Sequence, residues 1–262
     1  MDDVCAEALP NIIADMNRPT VLYASGDHRV FWLGIAEETA FRCNTYLLCD
    51  GDEAILFDPG NARFFDEVRE RVEQVLPPER VSGMVLSHQD PDVAASMVQW
   101  LDVNPSMRVF ASSRTNVLLP HYGRDDYRFH DASEQPEFAL PSGAKLRFIA
   151  APFLHFPGAV GTYDTASGYL FSGDVWASLD LDWTLTVQSF EEHAPKMDLF
   201  HVDYMASNIA ARGFARRLQD IDIAAILPQH GSIIGPDHVS QALNYLEQLR
   251  CGTDIIYAQL GR

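Results

Sequence analysis

Residues 85–96 read VLSHQDPDVAAS, which places His88, Asp90 and Asp92 at alternate positions after an apolar run that reads as a buried strand. Three further segments put a His or Asp just past a predicted strand: FLHFPG with His155, FSGD with Asp174 and LPQHG with His230. Any one of these residues alone is more ordinary as a hydrogen-bonded core residue. Together they are three imidazoles and three carboxylates that strand ends can gather in one cleft. Buried carboxylates are too costly there unless a cation neutralises them. Six donors exceed what one tetrahedral ion uses, and an Asp able to bridge lets two ions sit ~3.5–4 Å apart. The pattern implies a binuclear metal site.

The elements that must position these residues alternate along the chain. HRVFWLGI (28–35), CNTYLLCD (43–50) and EAILFDPG (53–60) read as neighbouring strands of a meander, the last stopped by Asp58-Pro59-Gly60. Residues 61–76 space Phe64, Val68, Val72 and Val75 at helical intervals and end before Pro77-Pro78. RVSGMVLS (80–87) is a short buried strand, residues 92–102 read as helix, and MRVFASS (107–113) as strand. The second half repeats the theme with strands in KLRFIAAPFLH (145–155) and SGYLFSGD (167–174), a helical stretch over 189–219, a strand in DIAAILPQH (222–230) and a last helix over 238–250. This is the rhythm of an α/β protein whose sheets are covered by helices, and a single domain over 1–262 accounts for it.

Composition narrows the function. The 262 residues are 47% hydrophobic, ordinary for a packed core, and no run approaches the ~18–20 apolar residues that span a bilayer. The acidic start MDDVCAEALP lacks the features of a secretory signal, so a cytoplasmic protein is expected, with no membrane role. A net charge of −18, spread along the chain, opposes nucleic acid as a partner. Cys5, Cys43, Cys49 and Cys251 form no C-x-x-C pair and read as ordinary reduced thiols.

The order His88-x-Asp90-x-Asp92, His155, Asp174, His230 resembles the metallo-β-lactamase superfold, whose members carry H-x-[HED]-x-D-H after a strand and then separate His, Asp and His ligands. The resemblance spans nearly the whole chain and implies an αββα sandwich with the metals at one edge of the two sheets. Within the superfold the sequence is most similar to the flavodiiron proteins and the related oxygen-binding diiron proteins, which have an acid where Asp90 stands, whereas zinc hydrolases have a histidine. CNTYLL and DYMASNI (203–209) resemble further segments of that group. The carboxylate-rich donor set also suits iron better than zinc.

This resemblance implies that His88, Asp90 and His155 bind one iron, that Asp92 and His230 bind the other, and that Asp174 bridges them, with a water or hydroxide also between the ions. Tyr204 would lie near the open face and donate a hydrogen bond; the alternative is an aromatic ring packed on a helix. Val93 departs from the pattern. It stands where the family usually has the second iron's histidine, and its apolar side chain would keep the adjacent pocket dry and favour binding of oxygen over reduction. His193 and His201 lie nearby in sequence, but their spacing gives them no route to the metal, and a surface role is expected.

The functional expectation is a diiron (Fe2+/Fe3+) protein that takes dioxygen as ligand, a sensor or carrier acting with a signalling partner, as a homodimer. With the sequence ending at Arg262 and no Gly-rich or Ser/Thr-rich phosphate loop in it, no FMN is expected in this chain, so an O2 or NO reductase would need an external flavoprotein donor. A zinc hydrolase of thioesters, lactones or phosphodiesters and a metal-free binding module are the remaining alternatives; Asp90 and Val93 argue against the first, and the retained donor set against the second.

Overall fold

A computed structural model describes residues 4–34 and 40–260. Among the described residues the chain builds twelve strands. The first sheet takes β1 (Thr20–Ser25), β2 (His28–Trp32), β3 (Tyr46–Asp50), β4 (Glu53–Phe57), β5 (Gly83–Val85), β6 (Arg108–Ala111) and β7 (Arg128–Asp131) in sequence order. The second runs β12 (Ala225–Pro228), β11 (Tyr169–Gly173), β10 (Val160–Asp164), β9 (Lys145–Ala150), β8 (Glu137–Ala139). β2, β3 and β4 form the expected antiparallel meander, which β1 extends by a further antiparallel strand that the sequence pattern did not mark, and β4, β5, β6 and β7 pair in parallel through crossovers.

Period-two alternation sorts each strand's side chains into two layers. In β3, Tyr46 and Leu48 face the second sheet, while Leu47 and Cys49 face the helices. Between the sheets, Trp32, Ile55, Phe57 and Phe110 meet Leu146, Phe148, Phe171 and Leu227, with the Phe57 and Phe171 rings stacked at 3.7 Å. The outer face of the first sheet is covered by α1 (Phe65–Glu73), α2 (Pro91–Ala94) and α3 (Met97–Val103), and α4 (Ser113–Asn116) follows β6. The outer face of the second is covered by α5 (Phe190–Tyr204), α6 (Asn208–Leu218) and α7 (Val239–Gln248). The architecture is the expected αββα sandwich.

Helix boundaries follow local chemistry. The Ser189 side chain accepts from the Glu192 backbone N–H, and Glu191 and Glu192 lie at the positive end of α5. The helical stretch over 189–219 is two helices, because Ser207 caps α6 afresh. The segment over 92–102 likewise divides into α2 and α3. β10 escaped the sequence pattern because VGTYD, although buried at every position, mixes Gly161, Thr162 and Asp164 with its apolar residues and gives neither an apolar run nor a clean alternation. The expected strand over 28–35 ends at Trp32, and its position 35 lies outside the described residues. Among those residues no helix is long and apolar enough to cross a membrane.

Candidate metal centre

The strand ends at one edge of the sandwich deliver the predicted donors. His88 follows β5, Asp174 follows β11 directly, and His230 follows β12. Asp90 is the residue before α2, whose N-terminal turn holds Asp92. His155 is not just past its strand; β9 ends at Ala150, and a loop carries the histidine in. Gly173 makes the approach possible. It has φ +56°, and a Cβ there would lie 2.8 Å from the Ser87 Cβ, so a side chain would push Asp174 away from His88. The same edge is sewn together by Val160 N–H to Ser87 O and Gln229 N–H to Gly173 O. Three non-glycine residues with positive φ, Asp58, Phe153 and Trp176, sit close to His88, His155 and Asp174 in space or sequence, the kind of local strain that rigid surroundings hold at working sites.

The side chains converge as two groups. In the first, the Nε2 of His155 is 3.3 Å from Asp90 Oδ2, and the Nε2 of His88 is 3.8 Å from the same oxygen. In the second, His230 Nε2 is 3.1 Å from Asp92 Oδ2. Asp174 faces both: its Oδ2 lies 3.1 Å from His155 and 3.4 Å from His88, and its Oδ1 lies 3.6 Å from His230. All six predicted donors are thus brought together.

The surrounding residues orient them. His230 Nδ1–H donates to the Arg42 carbonyl at 3.2 Å, which turns Nε2 towards the carboxylates. Ser87 Oγ lies 3.1 Å from His88 Nδ1, and the Gln229 amide donates to Asp92. The Tyr122 hydroxyl donates to the Gln89 carbonyl beside Asp90. The Phe41 ring lies over His230 at 3.8 Å. Gln229, Tyr122 and Phe41 were missed by the sequence reading; the only signal was that Gln229 adjoins His230.

The fit to a cation can be tested on the donors themselves. His88 Nε2, His230 Nε2 and Asp174 Oδ1 are buried with no hydrogen-bond partner, an arrangement proteins avoid unless something else satisfies the atoms. Burial opposes charge on His155, yet Asp174 and Asp90 outweigh it and push its imidazole up to about 10. Burial likewise opposes charge on Asp174, and His88, His155 and His230 overcome it, holding the carboxyl well below the usual carboxylate range. The proton that His155 holds occupies an electrostatic place that a cation fits. Among the described residues, donor atoms within 4.8 Å of one another form two groups, His88 with Asp90 and His155, and Asp92 with His230 and Cys43.

The other candidates fare differently. Tyr204 stands at the rim, 58% exposed, with its ring 5.9 Å from His155 and stacked on Phe200. His193 and His201 are not surface residues; they are 5% and 0% exposed. His201 Nδ1–H donates to the Met197 carbonyl and its Nε2 accepts from the Trp176 N–H, so both nitrogens are used and burial holds the imidazole neutral, at about 4. It is a structural histidine behind Asp174, not a ligand. Val93 is fully buried in the apolar layer between the first sheet and its helices.

The sequence model of the ODP family beta lactamase matches residues 41–231, most of the chain and every predicted donor. The chain belongs to that family. It is similar to the solved structure of a peroxy diiron species of chemotaxis sensor ODP (TM-score 0.82, 32% identity), covering 92% of this chain and 99% of that one. The apo state of chemotaxis sensor ODP from T. denticola is matched at TM-score 0.84 and 34% identity, covering 92% and 98%. Flavo-diiron protein FprA2 of Clostridium acetobutylicum is 27% identical over 135 residues, 51% of this chain. The chain covers about a third of that relative's length, 34%.

Proposed function

We propose that this ODP-family chain is a non-haem diiron protein, one metal-binding domain that takes up dioxygen reversibly and reports it to a signalling partner in the cytoplasm, as a homodimer. The observation that carries the reading is Asp174, one carboxylate with an oxygen turned to each of two donor groups. Near-complete mutual coverage with a diiron chemotaxis sensor supports it.

In this reading His88, Asp90 and His155 hold one iron, Asp92 and His230 hold the other, and Asp174 bridges them together with a water or hydroxide. Bound there, two irons would supply the electrons and open coordination positions that dioxygen needs. The protein's own contribution is preorganisation. Arg42 O fixes the His230 tautomer, Gln229 holds Asp92, and the Phe41 ring excludes water from one face of His230. Val93 adds no polar group to the second position, and Tyr204 at the rim would donate a hydrogen bond towards the open face.

The test is metal content and spectrum. Protein from iron-replete cells should hold close to two irons per chain, and anaerobically reduced protein should change its visible spectrum on oxygen and recover when oxygen is removed. Stoichiometric zinc with thioester or phosphodiester hydrolysis would overturn the reading. Continuous oxygen or NO consumption once an external flavoprotein donor is supplied would make the chain a reductase.

A further inference from the structure

The second donor group contains a residue that no motif identifies. Cys43 lies just before Asn44 and forms an isolated antiparallel bridge with His230. Its sulfur, an Asp92 carboxylate oxygen and a His230 ring nitrogen all lie within 4.8 Å of one another. Donors of one ion with bonds of ~2.0–2.3 Å sit no more than about 4.5 Å apart, so small side-chain adjustments close the set.

Two observations make this more than a nearby thiol. His230 Nε2 is fully buried, has no hydrogen-bond partner, and faces the same space. The backbone that presents Cys43 is also clamped to the His230 loop. Asn44 N–H donates to Gln229 O at 2.6 Å, and the Asn44 side chain donates to the carbonyls of Pro228 and Gly231 at 2.9 and 2.8 Å while accepting from Trp32 Nε1. Cys43 itself is 8% exposed. The thiol is held against the site by its neighbours rather than swinging from a loose loop.

The geometry points to Cys43 as a thiolate ligand of the second metal ion, standing in for the donor that Val93 cannot supply. This rests on the two-ion reading above. Binding deprotonates the thiol, with the proton lost to solvent and the sulfur lone pair given to the metal; no electron is transferred. The second position then has Asp92, His230, Cys43 and the shared Asp174, a full tetrahedral set of protein donors. The first position has none but nitrogen and oxygen, so the two ions differ in softness and sulfur marks the second.

Anaerobic Co2+ titration of the metal-free chain reads this directly. Two Co2+ should bind, and an intense near-ultraviolet sulfur-to-cobalt charge-transfer band should grow with one of the two equivalents. Cys43→Ser should abolish the band and weaken that equivalent ~10–100-fold, whereas Cys49→Ser and Cys251→Ser should keep both. Two bound ions with no sulfur band, or a band that survives Cys43→Ser, overturns the Cys43 assignment and leaves the two-ion reading standing. Fewer than two bound ions in the wild-type chain overturns both. Should Cys43→Ser not fold, X-ray absorption on the wild-type chain loaded with two Zn2+ decides: one sulfur scatterer at ~2.3 Å supports the assignment, and a shell of nitrogen and oxygen alone overturns it.

Discussion

Two buried clusters of histidine and carboxylate occupy opposite ends of the sandwich. At the far end from the metal centre, His28 at the start of β2 places Nδ1 2.6 Å from Asp50 at the end of β3 and Nε2 2.8 Å from Asp164 at the end of β10. Ser142 donates to Asp50 from both its N–H and its hydroxyl, and Ser167 does the same for Asp164. Both His28 nitrogens face carboxylates, an arrangement that favours the doubly protonated ring and ties the two sheets together. Each of its donors is answered. At the other end, the same residue types leave His88 Nε2, His230 Nε2 and Asp174 Oδ1 unanswered. One cluster is completed by a proton and the protein. The other leaves buried donors without partners, which is the physical difference between a structural ion cluster and a candidate binding site.

The sharpest way to break this contrast is Asp174→Ala. The carboxylate faces both donor groups, so its loss should lower bound iron or zinc from two ions per chain to near none, as read by elemental analysis. The stabilisation that metal gives the wild-type fold, about 2.7 kcal/mol at a hundred times Kd, should vanish with it. Retention of two ions in the variant would show that Asp174 is not shared.

The same contrast explains what could be read from sequence. His88, Asp90, Asp92, Asp174 and His230 were legible because strand ends punctuate the pattern and each donor follows one closely. Strands such as β3 and β11 were legible as short apolar runs, since both are buried on their two faces. His201 was misjudged because its partners are the Met197 carbonyl one helical turn back and the Trp176 N–H 25 residues away; neither leaves a mark in side-chain spacing. The His28 cluster escaped for the same reason, its two carboxylates lying 22 and 136 residues distant. Cys43 was hidden by its own strand context, since CNTYLL reads as a buried edge of β3 and a lone cysteine there looks like a small core residue.

His28→Ala tests the closed end. It strands two buried carboxylates against each other and should destabilise the protein by about 3–5 kcal/mol in urea denaturation, while metal stoichiometry stays at two. The effect should depend on pH. Burial opposes charge on His28, but Asp164 and Asp50 overcome it and raise the imidazole above its ordinary value of about 6.5. Its contribution is therefore complete below that value and is lost as pH climbs through the raised one. Burial likewise opposes charge on Asp50, and Ser142 and His28 outweigh it and lower the carboxyl, so its share is complete above about 3.9 and lost as pH falls through the lowered value. The gap between wild type and variant should be widest between these limits. A gap that does not change with pH would mean that His28 is held neutral.

Val93→His is the smallest change and probes whether the open end already has its donor. Val93 is fully buried in the apolar layer under the first sheet, so an imidazole placed there without a partner should cost about 1–3 kcal/mol in the metal-free protein. If the second ion draws the ring into its shell, added Zn2+ should return most of that loss, and thermal melts with and without metal measure both quantities. With Cys43 already supplying a donor, the new histidine is redundant, and Val93→His alone should change the second ion's affinity less than it does in a Cys43→Ala background, where it should restore binding. The two positions would then be coupled, as residues serving one metal must be. Equal effects of Val93→His in both backgrounds would show that Cys43 and position 93 do not serve the same ion, and the second position would then depend on Asp92, His230 and Asp174 with water as the remaining donor.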